Sequence, residues 1–199
     1  MSTNVPKYVT RELSKKTWSD FERLFKTRPA PGAHPCWCMY NHFSGREGEG
    51  RTGSRASRVE RNRRQKKALV RRGSAHGIMV YAQGQPVGWC QFGQSQELPR
   101  IENNRKYLKA IRECGRTPLW RITCFVVHHR YRRCGVARTA LKAALAAIRR
   151  SGGGLVEAYP VRRWDAYTTY RGTAAMFERE GFQKIALLGE SNVLMRRSV

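Results

Sequence analysis

The chain has 199 residues, 40% hydrophobic and 10% aromatic, which is enough for one well-buried core and short for two, so a single domain over residues 1-199 is expected. No run approaches the roughly 20 apolar residues of a membrane span, and the start, MSTNVPKYVTREL, has no apolar stretch resembling a signal peptide. A cytoplasmic protein with no membrane partner is therefore expected. Lys and Arg number 39 against 14 Asp and Glu, a formal charge of +25 that favours an anionic cofactor, nucleic acid or another acidic macromolecule without naming one. A bias towards arginine in the coding composition would give the same number with no partner at all.

Leu13, Trp18, Phe21 and Leu24 recur at helical spacing, so Arg11 to Phe25 reads as a first amphipathic helix. Thr27 to Pro35 is a Pro- and Gly-rich loop leading into Cys36, Trp37, Cys38, Met39 and Tyr40. Ser44 to Ser57, rich in Gly, Arg, Ser and Glu, suggests a mobile basic loop over about 44-57. A strongly basic helix from Ser57 to Arg72 follows, with Ser57 as its N-cap and Gly73 as its stop. Ile78 to Ala82 and Val87 to Phe92 form two strands around a short hairpin connection. Glu97 to Arg112 is polar and partly helical.

Leu119 to Val127 is a β-branched and aromatic strand, followed by a polar turn. Val136, Ala140, Leu141, Ala144, Leu145 and Ile148 then mark one face of a long helix that Ser151 to Gly154 ends. Leu155 to Tyr159 makes a strand, Gly172 to Glu180 a short helix, and Phe182 to Leu187 with Asn192 to Arg196 two last strands. The order is that of a mixed α/β (α+β) fold.

The six cysteines show no paired CxxC, and His34, Cys36 and Cys38 lack a second cluster to complete four ligands, so neither a metal site nor a disulfide framework is expected. Arg130, Tyr131, Arg132, Arg133, Cys134, Gly135, Val136 and Ala137 lie between a strand and a helix. Gly135 and Ala137 keep side chains out of the way, so backbone N–H groups at a helix N-terminus can face a pyrophosphate while Arg132 and Arg133 add positive charge. Neither GxxxxGK nor GxGxxG is present. The alternative is an ordinary turn with a solvated basic face.

Phe125, Val127 and the run Arg132 to Ala137 resemble the acetyl-CoA-binding motif of the GNAT N-acetyltransferase superfamily, R/Q-x-x-G-x-G/A. Tyr170 to Phe182 resembles the family's later helix with its Gly-Phe ending, and Val80 to Phe92 its central hairpin. The resemblance implies a central mixed, mainly antiparallel sheet flanked by helices, with splayed strands holding acetyl-CoA as co-substrate. It places Phe125, Val126 and Val127 along the pantetheine arm, the loop Arg132, Arg133, Cys134, Gly135, Val136 and Ala137 on the pyrophosphate, and Arg138, Thr173 and Phe177 beside the cofactor. A backbone N–H near Val126 would be the oxyanion donor.

The activity it implies is direct transfer of an acetyl group to a primary amine. Alternatives are an aminoglycoside-type small-molecule acceptor, and a non-catalytic nucleic-acid-binding module on this scaffold. Oligomeric state is left open, a dimer being allowed. Two positions depart from the family pattern. Ala137 replaces the commoner glycine, and Phe177 stands where many members carry a tyrosine that protonates the departing thiolate, which leaves that role to Tyr170, Tyr167 or Tyr159.

Glu157, a carboxylate on an apolar strand, is the candidate for the amine's proton, with Asp165 as second candidate and substrate contact; the competing expectation for Glu157 is an ion pair with an arginine. Trp37 and Cys38 are placed over the acceptor, or else plug the core. A covalent acetyl-cysteine at Cys124 or Cys134 is disfavoured because no histidine accompanies either in a defensible pattern.

Overall fold

In the computed structural model, which describes residues 7–27, 36–45, 52–114, 119–162 and 169–199, the chain starts with β1 (Tyr8–Glu12), α1 (Trp18–Lys26) and α2 (Arg55–Arg72). Then come the hairpin β2 (His76–Ala82) and β3 (Gln85–Gln94), α3 (Arg105–Cys114), β4 (Trp120–Val127) and α4 (Val136–Arg150). The chain ends with β5 (Leu155–Ala158), α5 (Ala174–Glu178), β6 (Gln183–Leu187) and β7 (Val193–Ser198). The strands form one sheet in the order β1-β2-β3-β4-β5-β7-β6. Every pairing is antiparallel except β4 with β5. This is the mixed, mainly antiparallel sheet that the family resemblance implies.

Local chemistry accounts for most element boundaries. Gln83 and Gly84 both have positive φ, the type I′ geometry whose twist suits a two-residue hairpin between β2 and β3. Gly73 ends α2 in the left-handed conformation, its N–H reaching the Leu69 and Val70 carbonyls. The apolar stripe of α4 is buried at Val136, Ala140, Leu141, Ala144, Leu145 and Ile148.

Three expectations need correction. Ser54, not Ser57, caps α2: the Ser57 N–H donates to Ser54 Oγ at 3.2 Å, so the helix starts at Arg55, inside the segment assigned to a mobile loop. Residues 46–51 of that segment lie outside the described residues. The first helix starts at Trp18 rather than Arg11, because Tyr8–Glu12 pairs with β2 as an edge strand. A polar edge strand draws its stability from the partner's ladder and leaves almost no hydrophobic signal of its own.

α4 and α5 cover one face of the sheet, burying Phe92, Trp120, Ile122, Phe125 and Phe177. α1, α2 and the segment Trp37 to Met39 cover the other, around Phe21, Trp37 and Trp89. Gly77 makes room for Trp89: a Cβ there would sit 2.0 Å from the indole. Trp89 is fully buried, with Phe21 packed edge-on at 4.8 Å, and cannot swing away. Gly77→Ala is therefore expected to cost about 1–3 kcal/mol through overpacking, seen as a lower denaturation midpoint at unchanged slope. An unchanged midpoint would mean that the indole has somewhere to go.

The sheet splits beside its centre. β4 and β5 pair only through Trp120, Arg121 and Ile122 opposite Val156, Glu157 and Ala158, whereas β4 stays paired with β3 as far as Val127. Beyond Ile122 the two parallel strands part. Thr123 has no partner in the β3 register, so a bulge occurs where the strands separate, and bulges bend the strand that carries them.

Candidate active site

At the far end of β4 the chain turns through His129–Tyr131 into α4. Arg133 and Gly135 both adopt positive φ, at 61° and 80°. This turns the loop beneath the start of α4, whose first amides have no partner inside the helix. Gly88 allows the approach, since a Cβ on it would lie 2.2 Å from Val136. The Tyr8 hydroxyl pins the loop by donating to the Cys134 carbonyl at 2.9 Å. Arg132, Arg133, Cys134 and Gly135 are exposed, and around Gly135 a Cβ would meet nothing within 4 Å. Helix-terminal N–H groups, open space and flanking guanidiniums fit a pyrophosphate. The β4 edge beyond Ile122, on which no described strand pairs, fits an extended amide-bearing arm.

A cavity of about 300 Å³ opens at the split, on the face away from α4. Thr123 and Tyr159 line it from the two parting strands, with Tyr40, Asn41, Arg100, Ile101, Asn103, Asn104 and Arg171 around them. Behind Tyr159 is a buried polar cluster. Glu157, wholly buried, accepts from the Tyr159 hydroxyl at 2.8 Å and the Tyr107 hydroxyl at 2.9 Å through one carboxylate oxygen. Its other oxygen pairs with Arg196 at 2.7 Å. Arg121 completes the cluster, donating to Tyr107 Oη and pairing with Glu102. Burial, then the Glu157 charge, push the Tyr159 hydroxyl well above its ordinary range and that of Tyr107 up to about 12, so both stay protonated at neutral pH.

A family model for the acetyltransferase (GNAT) family matches residues 39–182. This chain belongs to the GNAT acetyltransferase family. It is accordingly an acetyltransferase with acetyl-CoA as co-substrate. No curated protein matches its sequence. Solved structures share the fold at low identity. An acetyltransferase from Thermus thermophilus superposes with a TM-score of 0.55 at 14% identity, covering 98% of this chain and 99% of that one. A GNAT-family acetyltransferase from Streptococcus pneumoniae gives 0.54 at 13% identity over 97% and 99%. The PaiA N-acetyltransferase from Thermoplasma acidophilum, solved in complex with coenzyme A, gives 0.54 at 14% identity over 97% and 99%.

The GNAT chain brings Glu157 and Tyr159 into contact, as their positions two apart on one strand allow, since successive side chains on a strand point to opposite faces and alternate ones share a face. Tyr159 follows the last paired residue of β5. Tyr170 is more exposed, and Arg171 Nε donates to its hydroxyl at 3.2 Å. Asp165 and Tyr167 lie outside the described residues.

The structure gives several of the assigned residues other surroundings. Trp37 and Cys38 do not wall the acceptor: they are 2% and 1% exposed, Trp37 stacked on Phe25 and Cys38 held between Cys124 and the Trp89 indole N–H. Both are core. Phe177, fully buried against Phe125 and Phe182, has no surface to offer a cofactor. Arg138 is engaged by Glu180 at 2.6 Å, and Thr173 caps α5 through its side chain. The basic helix α2 also uses part of its charge internally, Arg63 pairing with Glu22 and Glu60.

Lys66 of α2 carries no signal in the sequence: it is fully buried with its Nζ 3.0 Å from His42 Nε2. His42 Nδ1 lies 2.9 Å from the Glu97 carbonyl and must donate there, leaving Nε2 to accept from Lys66 and from Gln91. Gln91 in turn accepts from Thr123 at the cavity floor. Burial lowers Lys66 to about 8 and, with the Lys66 charge, holds His42 at about 3 and hence neutral. A lysine whose folded pKa is depressed is deprotonated in the native chain while the unfolded chain still holds its proton. Lys66 therefore contributes stability that grows with pH between about 8 and about 10.4, by up to about 1.4 kcal/mol per unit of pH, against the ionisation near about 8.5 of Cys38 and Cys90 in the unfolded chain, which burial keeps protonated in the native one. Lys66→Met is expected to remove that contribution, so its stability falls more steeply than the wild type's above about pH 8 in a denaturation series; an identical slope in both proteins would show that Lys66 titrates normally.

Proposed function

We propose that this acetyltransferase moves the acetyl group of acetyl-CoA directly to a primary amine bound in the cavity at the β4 and β5 split. The observation that carries the reading is that both parting strands, through Thr123 and Tyr159, line one cavity on the face away from α4. Bound there, acetyl-CoA supplies a thioester carbonyl activated towards a neutral amine.

The loop Arg132 to Ala137 anchors its phosphates, and the backbone groups of Phe125 and Val127 offer hydrogen bonds along the open edge of β4. The Val126 N–H, two residues before the His128 N–H that donates to Val87, faces Trp89 of β3, so the donor for the developing oxyanion falls to Phe125 or Val127 instead. The acceptor's proton leaves to Tyr159 Oη as the Tyr159 proton passes to Glu157 Oε2, 2.8 Å away. No charge is then left on the tyrosine. Tyr170, exposed and oriented by Arg171, is the hydroxyl available to the leaving thiolate once Phe177 is excluded.

The test is acetyl-CoA stabilisation in a thermal melt, followed by thiol release over a panel of primary amines. Stabilisation with amine-dependent release supports the reading. Stabilisation with release no faster than in buffer would leave a binding module without transfer.

A further inference from the structure

We propose that the acceptor is a small primary amine carrying a carboxylate, and that Arg100 and Arg171 hold that carboxylate. The inference rests on the acetyl-transfer reading of the cavity and adds the class of its substrate.

Charge in the cavity is one-sided. Arg100 and Arg171 are half-buried in its lining, and among the described residues that line it none is acidic. Neighbouring arginines are neutralised, Arg121 by Glu102 and Arg196 by Glu157. Neither Arg100 nor Arg171 has a carboxylate partner among the described residues. Two half-buried guanidiniums with no counter-charge among the described residues favour an anion in the cavity and disfavour a cation.

Both are oriented. Arg100 Cζ lies 4.7 Å from the Tyr40 ring centre and Arg171 Cζ 5.5 Å from that of Tyr170. Stacking restricts the plane of a guanidinium while leaving N–H groups on its edge for a carboxylate, so less order has to be created on binding. Asn41, Asn103 and Asn104 add neutral polar groups to the same wall.

Size and polarity agree. About 300 Å³ is at the lower end of small-ligand sites. On the acetyl-transfer reading Tyr159 takes the amine's proton, so the amine belongs beside Tyr159 and a carboxylate beside the arginines. A ligand that carries both groups matches this lining, whereas a polycation of aminoglycoside type brings several positive charges against the two arginines.

The test uses the full chain, acetyl-CoA and matched acceptors: α- and ω-amino acids of increasing length, the corresponding amides, a polyamine and an aminoglycoside. The expected result is a carboxylate-bearing amine used with a kcat/KM at least about tenfold above that of its amide. In Arg100→Gln, KM for that amine should rise about tenfold to a hundredfold while kcat and acetyl-CoA affinity stay within about twofold; in Arg171→Gln, which also loses the contact to Tyr170, KM should rise by a similar factor and kcat should fall as well. Amides or polycations used as well as the acids would overturn the inference and leave acetyl transfer standing. Variants that keep the wild-type KM would overturn the role of the two arginines. An absence of thiol release from every amine would overturn the inference together with the acetyl-transfer reading beneath it.

Discussion

Gly135→Glu is expected to abolish acetyl-CoA binding in a chain that still folds. Gly135 precedes α4 at φ 80°, where a side chain is strained by about 1–2 kcal/mol but, with nothing within 4 Å of a Cβ, is not obstructed. The fold should therefore survive with a lower melting temperature. Binding should not, because a carboxylate at the N-terminus of α4 occupies the amides meant for phosphate and repels the incoming anion. A loss of at least about a thousandfold is expected from losing several charge-assisted hydrogen bonds at once. Gly135→Ala separates the causes: it shares the backbone strain without the charge and should keep most of the affinity. The measurement is acetyl-CoA affinity by calorimetry on both variants. Glutamate and wild-type chains binding alike would move the phosphate site elsewhere.

Tyr159→Phe is expected to lower kcat by about a hundredfold or more, the usual size of a lost proton-transfer group, while leaving acetyl-CoA affinity unchanged. The ring still fills its place beside Tyr107, and only the hydroxyl that donates to Glu157 is removed. Glu157→Gln is the poorer probe. Its carboxylate neutralises Arg196, 6% exposed, and accepts from two tyrosines, so the amide leaves a buried cation unpaired at a cost of about 3–5 kcal/mol. A fall in activity there would report unfolding as readily as catalysis. Should Tyr159→Phe retain kcat within about twofold on an accepted amine, the Tyr159–Glu157 pair is purely structural.

Features that depend on a few neighbouring residues were legible in the sequence. The hairpin turn at Gln83 and Gly84, the stop at Gly73, the stripe of α4 and the open loop from Arg132 to Ala137 each follow from local backbone preference or helical spacing, and the structure places them where the residues predict. What only the tertiary structure decided depends on pairing across long separations. The edge strand Tyr8–Glu12 exists because β2 offers it a ladder. Thr123 becomes a cavity residue because the β3 register skips it. Trp37 and Cys38 are core because α1 and Trp89 close over them.

Glu157 illustrates the limit most directly. Its apolar strand predicts burial, but its partners Tyr107 and Arg196 are 50 and 39 residues away in the chain, and no local pattern distinguishes an arginine that will neutralise it from the many that will not. Charge sums without regard to position in a sequence. In the fold the same excess of arginine is divided among exposed side chains, buried ion pairs such as Arg121 with Glu102 and Arg196 with Glu157, and the two guanidiniums lining one cavity that have no carboxylate partner among the described residues, because an enclosed guanidinium is stabilised by a partner while a binding site can leave its own for the ligand.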